Sequence, residues 1–320
     1  MTSPSDNSIP VQQRRAIIIA VNPNAGSSST RRAADQLADE LVARDFQVGI
    51  ESDMDVIHEM AHTRPDLRTV VAAGGDGTIA LLANRLPRST TFSILPQGTE
   101  NLLAKHLRMP FDPPGVARVI DEGISACLDT GRANGQLFLV MASCGFDAEV
   151  VHQVHKIRKG NIRHWAYAKP IINSIRKYRY PTLSIYCDDE SKPIRAKWAF
   201  VFNAPRYAMG LPIADQASAL DGQLDLCAFR GGNLANGLLY LAGIIMRRHR
   251  RWKDTNVARV TRIRIEAEEE VPYQLDGDPG GHLPLELEVV PQRLNIFVPQ
   301  VWARKNGIEQ TAHQVPEATQ

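Results

Sequence analysis

Apolar residues in the first part of the chain fall into short runs of strand-like character. The runs at 16–21 (AIIIAV), 69–73 (TVVAA) and 91–95 (TFSIL) are β-branched or aliphatic, and each leads into a glycine-containing turn. Between the first two, residues 30–43 place Ala33, Leu37 and Leu41 at helical spacing, with Ser28, Ser29 or Thr30 available as an N-cap. Strand, helix and strand in that order predict a βαβ unit, and its continuation to about residue 135 predicts an α/β domain with a parallel sheet. Beyond Leu137 the rhythm changes to short strands separated by turns: FLVMASCGFDAEV, TLSIYCDD, AKWAFVFN, GQLDLCAFR, RIRIEAEEE and LELEVV. The predicted organisation is an α/β domain over 14–137 and an all-β domain over 138–300. Residues 151–180 interrupt the second domain with eight Lys or Arg and no Asp or Glu, which predicts one or two basic amphipathic helices. Residues 1–13 and 306–320 are polar and are expected to be disordered tails.

Composition narrows the class. A chain of 320 residues with 43% hydrophobic content has the material for two cores, which excludes an intrinsically disordered protein. The formal net charge of +2 gives no overall attraction to polyanions, so nucleic acid is not an expected partner. Cys127, Cys144, Cys187 and Cys227 show no CxxC spacing and read as reduced core thiols of a cytoplasmic protein. The start MTSPSDNSIPVQQ lacks the pattern of a secretion signal. The longest apolar stretch, 238–246, is about half of the ~20 residues that cross a bilayer.

Gly74-Gly75-Asp76-Gly77-Thr78 follows a buried-type strand and precedes the helical run 79–86. Glycines there let the backbone approach a phosphate, and a helix start offers amides with partial positive charge. Two further loops end neighbouring strands in the same way: Asn22-Pro23-Asn24-Ala25-Gly26, and Gly98-Thr99-Glu100-Asn101. In an open parallel sheet, loops at the carboxyl ends of the strands face one crevice, so the three turns predict a polyphosphate cradle. Neither GxxxxGK[ST] nor GxGxxG occurs.

The ordered set NPNAG at 22–26, GGDGT at 74–78, GTEN at 98–101, GFDA at 145–148, DGQLD at 221–225 and LDGD at 275–278 resembles the bacterial diacylglycerol kinase catalytic family, which includes sphingosine and ceramide kinases. The resemblance implies a nucleotide domain, a C-terminal β-sandwich and an ATP site between them. It places Asn22, Pro23, Asn24, Ala25, Gly26, Gly74, Gly75, Asp76, Gly77, Thr78, Ile79, Ala80, Gly98, Thr99 and Asn101 at the nucleotide. Ser52, closing FQVGIES, stands where the family has a hydroxyl near ATP; on its own it reads as a solvated turn serine. Asp276 and Asp278 correspond to the family's acidic turn and take the base role, with Asp278 one methylene shorter than the usual glutamate. The segment DGQLD corresponds to a Mg²⁺ site formed by Asp221, the carbonyls of Ser218 and Gln223, and Asp225. Ala80, Leu81 and Leu102 depart from the family's polar residues.

These features predict an ATP- and Mg²⁺-dependent kinase for a lipid hydroxyl, peripheral to the inner face of the membrane, with a homodimer as an open alternative to a monomer. The basic residues at 151–180 and the cluster Arg247-Arg248-His249-Arg250-Arg251-Trp252-Lys253 suit anionic headgroups. Two other readings remain at this point: an NAD kinase-like enzyme, which shares GGDGT, and a nucleotide-binding regulator without catalysis. His152 and His155 read as surface residues, and Cys144 as a buried small side chain.

Overall fold

The computed structural model describes residues 9–10, 13–21, 28–157, 178–205, 207 and 210–308. The loop 22–26 and most of the basic stretch, 158–177, lie outside the described residues.

Strands β1 (Ala16–Val21), β2 (Gln47–Glu51), β3 (Leu67–Gly74) and β4 (Thr91–Pro96) form a parallel layer in the order β2-β1-β3-β4. Every residue of β3 and β4 is buried, which explains runs without polar alternation: helices cover both faces of such a sheet. Helix α1 (Ser28–Val42) buries Thr30, Ala34, Leu37 and Leu41, a stripe at helical period. Helices α2 (Met54–Thr63), α3 (Asp76–Arg85), α4 (Leu102–Leu107) and α5 (Pro113–Glu122) complete this domain. Asp53 and Asp112 cap α2 and α5 by accepting backbone N–H groups.

The second domain contains β5 (Ser125–Ala133), β6 (Gln136–Phe138), β7 (Met141–Gly145), β8 (Leu183–Cys187), β9 (Ile194–Ala196), β10 (Trp198–Phe202), β11 (Leu224–Phe229), β12 (Thr255–Val260), β13 (Arg262–Glu266), β14 (Pro272–Leu275), β15 (Asp278–His282) and β16 (Leu285–Phe297). One antiparallel sheet runs β12-β11-β10-β7-β14-β15. Facing it, β13, β8 and β9 with β5 and β6 are held by the 13-residue β16, whose far end pairs in parallel with β4 at Asn295 and Ile296. A single ten-stranded sheet therefore spans both domains. Its second-domain half meets the six-stranded sheet over a core that includes Ala142, Cys144, Ala199, Val201, Leu224, Leu226, Ile263, Ile265, Leu285 and Leu287. The alternating residues Phe200, Phe202, Cys227 and Phe229 face the other way, where Phe229 meets Tyr240, and they join a cluster of buried residues that continues into the first domain. The architecture is an α/β domain followed by an antiparallel β-sandwich, as the sequence predicts.

Two local readings change. FLVMASCGFDAEV is not one strand: β7 stops at Gly145, whose φ of +97° turns the chain, and Phe146 opens helix α6 (Phe146–Ile157). Residues 151–157 of the basic stretch continue that helix. At the other end, helix α7 (Leu234–Ile245) stands outside the six-stranded sheet, and α8 (Gln300–Lys305) follows β16. Past Asn306, Ile308 donates its N–H to Ala303 O at 3.0 Å and packs on the first core, so apolar contact keeps the chain in the fold beyond the expected tail boundary.

Candidate active site

The carboxyl ends of β1 to β4 lie along one edge of the parallel layer, which brings Ser52, the Gly74 turn and the Gly98 turn to the same side. Ser52 is exposed, and its N–H donates to Glu51 Oε1 at 2.7 Å. Asn22, Pro23, Asn24, Ala25 and Gly26 follow β1 but lie outside the described residues.

The Gly74 and Gly98 turns pack backbone to backbone. A Cβ on Gly98 would sit 2.4 Å from Gly75 Cα, and one on Gly74 would sit 2.2 Å from Thr78 Oγ1, so only glycine allows this approach. Gln97 N–H donates to Gly74 O at 2.9 Å, tying the ends of β3 and β4 together. Asn101, buried and at a φ of +50°, closes its own turn by accepting from Gly98 N–H at 2.9 Å and donating to Gly98 O at 2.7 Å. Thr99 and Gly77 are exposed at the surface of this assembly, Ala80 is half-buried, and Thr78 and Ile79 are buried beneath it. Gly75 caps α3 without any side-chain acceptor, leaving the helix start to backbone groups.

Asp76 has a use that its sequence position does not reveal. Its carboxylate accepts from Leu102 N–H at 2.8 Å and Leu103 N–H at 3.0 Å, capping α4 and joining the two glycine turns. Burial raises its pKa, against the pull of those two donors and Lys105. Leu102, one of the departures from the family pattern, supplies one of these amides, a role its side chain does not enter.

The acidic turn between β14 and β15 arrives from the second domain. Asp276, at a φ of +51°, accepts from the N–H groups of Leu139, Val140 and Met141 at 2.7, 2.8 and 3.0 Å. Its pKa is pushed up to about 6, first by burial; the three donors oppose the rise and the nearby Asp76 adds to it. Asp278 is exposed instead, and its Oδ2 lies 2.9 Å from where a Cβ on Gly77 would stand. The distant acid and the glycine turn thus stand side by side.

A buried network fixes that corner. Gln274 accepts from Gly277 N–H at 2.8 Å, and its amide donates to Ser143 Oγ at 2.8 Å and Asp147 Oδ2 at 3.2 Å. Ser143 and Tyr207 hydroxyls also donate to Asp147, whose pKa is raised by burial against these bonds. Sequence reasoning missed Gln274, Ser143 and Tyr207 as contributors; Asp147 lies inside the GFDA segment, two residues past Gly145, and that motif is the available signal. His152 is not a free surface residue: its Nε2 lies 3.0 Å from Tyr273 O, on the same corner.

The Ser218–Asp225 region stands on β5 and β12. Gly222 N–H donates to Asp129 Oδ2 at 2.7 Å, Gln223 N–H to Asp221 Oδ1 at 3.1 Å, and Leu220 N–H to Ser218 Oγ at 3.3 Å. Arg259 approaches Asp225 Oδ1 at 3.6 Å and Asp221 Oδ2 at 3.9 Å. Asp225 is buried with a raised pKa, and its Oδ2 has no hydrogen-bond partner. No cluster of three His, Cys, Asp or Glu side chains suited to a metal occurs among the described residues. Asp221 and Asp225, the latter through its orphaned Oδ2, together with neighbouring backbone carbonyls are nonetheless an oxygen-only donor set that fits a hard cation.

Comparison with known proteins agrees with the fold, an α/β domain followed by a β-sandwich. Residues 16–133 match the diacylglycerol kinase catalytic domain, and residues 140–298 match the YegS C-terminal NAD kinase beta sandwich-like domain. An uncharacterised Synechocystis protein is 28% identical over 236 residues, 72% of this chain and 54% of its own length. A Staphylococcus saprophyticus protein named diacylglycerol kinase is 24% identical over 314 residues, covering 93% of this chain and all of that protein (100%). A crystal structure of a Bacillus anthracis diacylglycerol kinase superposes with a TM-score of 0.63 at 19% identity, over 90% of this chain and 98% of that one. The two domain matches in sequence order, over a fold with the same two layers, show that this chain belongs to the diacylglycerol kinase catalytic-domain family.

Proposed function

We propose that the protein transfers the γ-phosphoryl group of ATP to the hydroxyl of a lipid, diacylglycerol-like or sphingoid-like, at a membrane surface. The observation that carries this reading is the placement of Asp278 against Gly77. A carboxylate from the β-sandwich stands at the mouth of a glycine turn suited to phosphates, and a kinase needs that pairing of base and polyphosphate. The start of α3 at Gly75–Gly77 offers backbone N–H groups and the positive end of the helix dipole to phosphate oxygens. Asp278 accepts the proton of the attacking hydroxyl as its oxygen bonds to phosphorus and ADP leaves. Asp276, its oxygens already occupied by three backbone donors, holds the turn and does not reach the substrate. Asp221, Asp225 and the carbonyls of Ser218 and Gln223 would hold Mg²⁺; a bound divalent cation supplies charge neutralisation and rigidity on this side of the domain.

The test is incubation with labelled ATP and a total lipid extract, resolved by thin-layer chromatography. A labelled lipid that disappears with Asp278→Asn supports the reading. Label on added NAD instead points to the NAD kinase-like alternative, and parent and variant equally inert with intact ATP binding point to a regulator.

A further inference from the structure

We infer that helix α7 is an interfacial anchor that lies flat in the surface of an anionic phospholipid bilayer. The helix, LANGLLYLAGII, contains no charged residue, yet it is a surface element. Its inner stripe, Tyr240 and Ile244 with Gly243 between them, packs on the sandwich, where Trp252 fills the space beside Gly243 and leaves no room for a Cβ. The opposite side exposes Leu238 at 61%, Leu239 at 53%, Leu241 at 40%, Ile245 at 62% and Met246 at 57%. At 3.6 residues per turn these positions and Ala242 fall on one unbroken face of about 160°. A helix on a water-facing surface carries polar residues there; one that is apolar all round is buried or meets lipid.

The flanking charge says which occupant fits. From Leu234 to Lys253 the chain has five Lys or Arg and no Asp or Glu. Arg247, Arg248, Arg251 and Lys253 are exposed directly after the apolar face, and only Arg247 and Arg250 lean toward Asp215, at 3.8 and 3.3 Å. Apolar side chains beside a row of cations match acyl chains beside anionic headgroups. Twelve residues at 1.5 Å each give a helix of about 18 Å, too short to span and suited to lying in the interface. Trp252, part of the basic cluster, is packed beneath the helix, so Leu238, Leu239 and Ile245 are the inserting groups. The inference stands on the surface of α7 and not on the kinase cleft.

Co-sedimentation with vesicles of phosphatidylglycerol and phosphatidylcholine in equal parts tests it, with phosphatidylcholine alone as the neutral control. The parent binds the mixed vesicles more tightly than the neutral ones. Leu238→Gln with Ile245→Gln weakens binding at least about tenfold, and Arg248→Gln with Arg251→Gln weakens it about thirty-fold at low salt. Turnover of a water-soluble short-chain acceptor by the Leu238/Ile245 variant stays at the parent's level, so absence of any lipid turnover sinks the kinase reading without touching this one. A second measurement does not depend on the stability of those variants: Leu239→Trp is quenched by brominated lipid, whereas Trp at the equally exposed Val301 on α8 is not. Equal quenching at both positions, no binding by the parent, or variants that bind as the parent does would overturn the proposal. So would a parent dimer that the Leu238/Ile245 changes convert to a monomer with vesicle binding intact, which would make the face a contact between copies.

Discussion

Two turns of the β-sandwich, Asp276-Gly277-Asp278 and Asp221-Gly222-Gln223-Leu224-Asp225, are built on the same dipeptide and have opposite internal economies. Both place glycine at positive φ, +92° for Gly277 and +69° for Gly222. In the first, both oxygens of the leading acid are engaged: three backbone donors hold Asp276, and the second acid is left exposed at the glycine cradle. In the second, the leading Asp221 is exposed and the trailing Asp225 is buried with one oxygen unpartnered and a guanidinium 3.6 Å from the other. A satisfied acid becomes scaffold and frees its neighbour for chemistry, whereas an unsatisfied one is a demand for a cation.

The largest expected effect lies at the first turn. Asp278→Asn lowers turnover by about 10²–10⁴-fold, the range for loss of a general base, while ATP affinity measured by calorimetry is unchanged. An equal loss from Asp221→Asn would erase the distinction between the turns. Next comes pH. The pKa of Asp276 rises from 3.8 to about 6 on folding, so its contribution to stability is complete below about pH 4 and is lost as pH rises through about 6. Urea unfolding of the parent across that window falls by at most about 3 kcal/mol from this group, and the slope flattens in Asp276→Asn.

Smaller effects follow from the supports. Gln274→Leu leaves the Gly277 N–H and the Asp147 cluster short of a partner, costing about 1–3 kcal/mol of stability in thermal unfolding. It also lowers turnover about tenfold with ATP affinity intact, because the corner carrying Asp278 loosens. At the second turn, Mg²⁺ stabilises the parent by about 1.4 kcal/mol at ten times its dissociation constant. Asp225→Asn loses that increment in a thermal shift assay. Persistence of the increment would place the cation elsewhere.

The buried runs at β1, β3 and β4 and the glycine turns between strand and helix were readable because each depends on local properties: β-branched residues, helical spacing, and glycine where a side chain would collide. The roles of individual acids were not. Asp76, which the sequence places beside a phosphate, caps α4 through amides 26 and 27 residues away, and Asp276, to which the resemblance gives a base role, accepts from amides more than 130 residues away. GFDA was read as the end of a strand, since nothing local announces that Gly145 takes a φ of +97° against Lys197 O. The apolar stretch at 238–246 was judged too short for a span, but its outward direction appears only once Tyr240 and Ile244 have taken the inner face. Order of elements, the glycine turns at Gly74 and Gly98 and the charge around α7 are properties of the sequence by itself. Which carboxylate is satisfied, which stands free beside Gly77 and which face of α7 meets the outside were decided by tertiary structure, because hydrogen-bond saturation and exposure depend on partners the chain brings from far away.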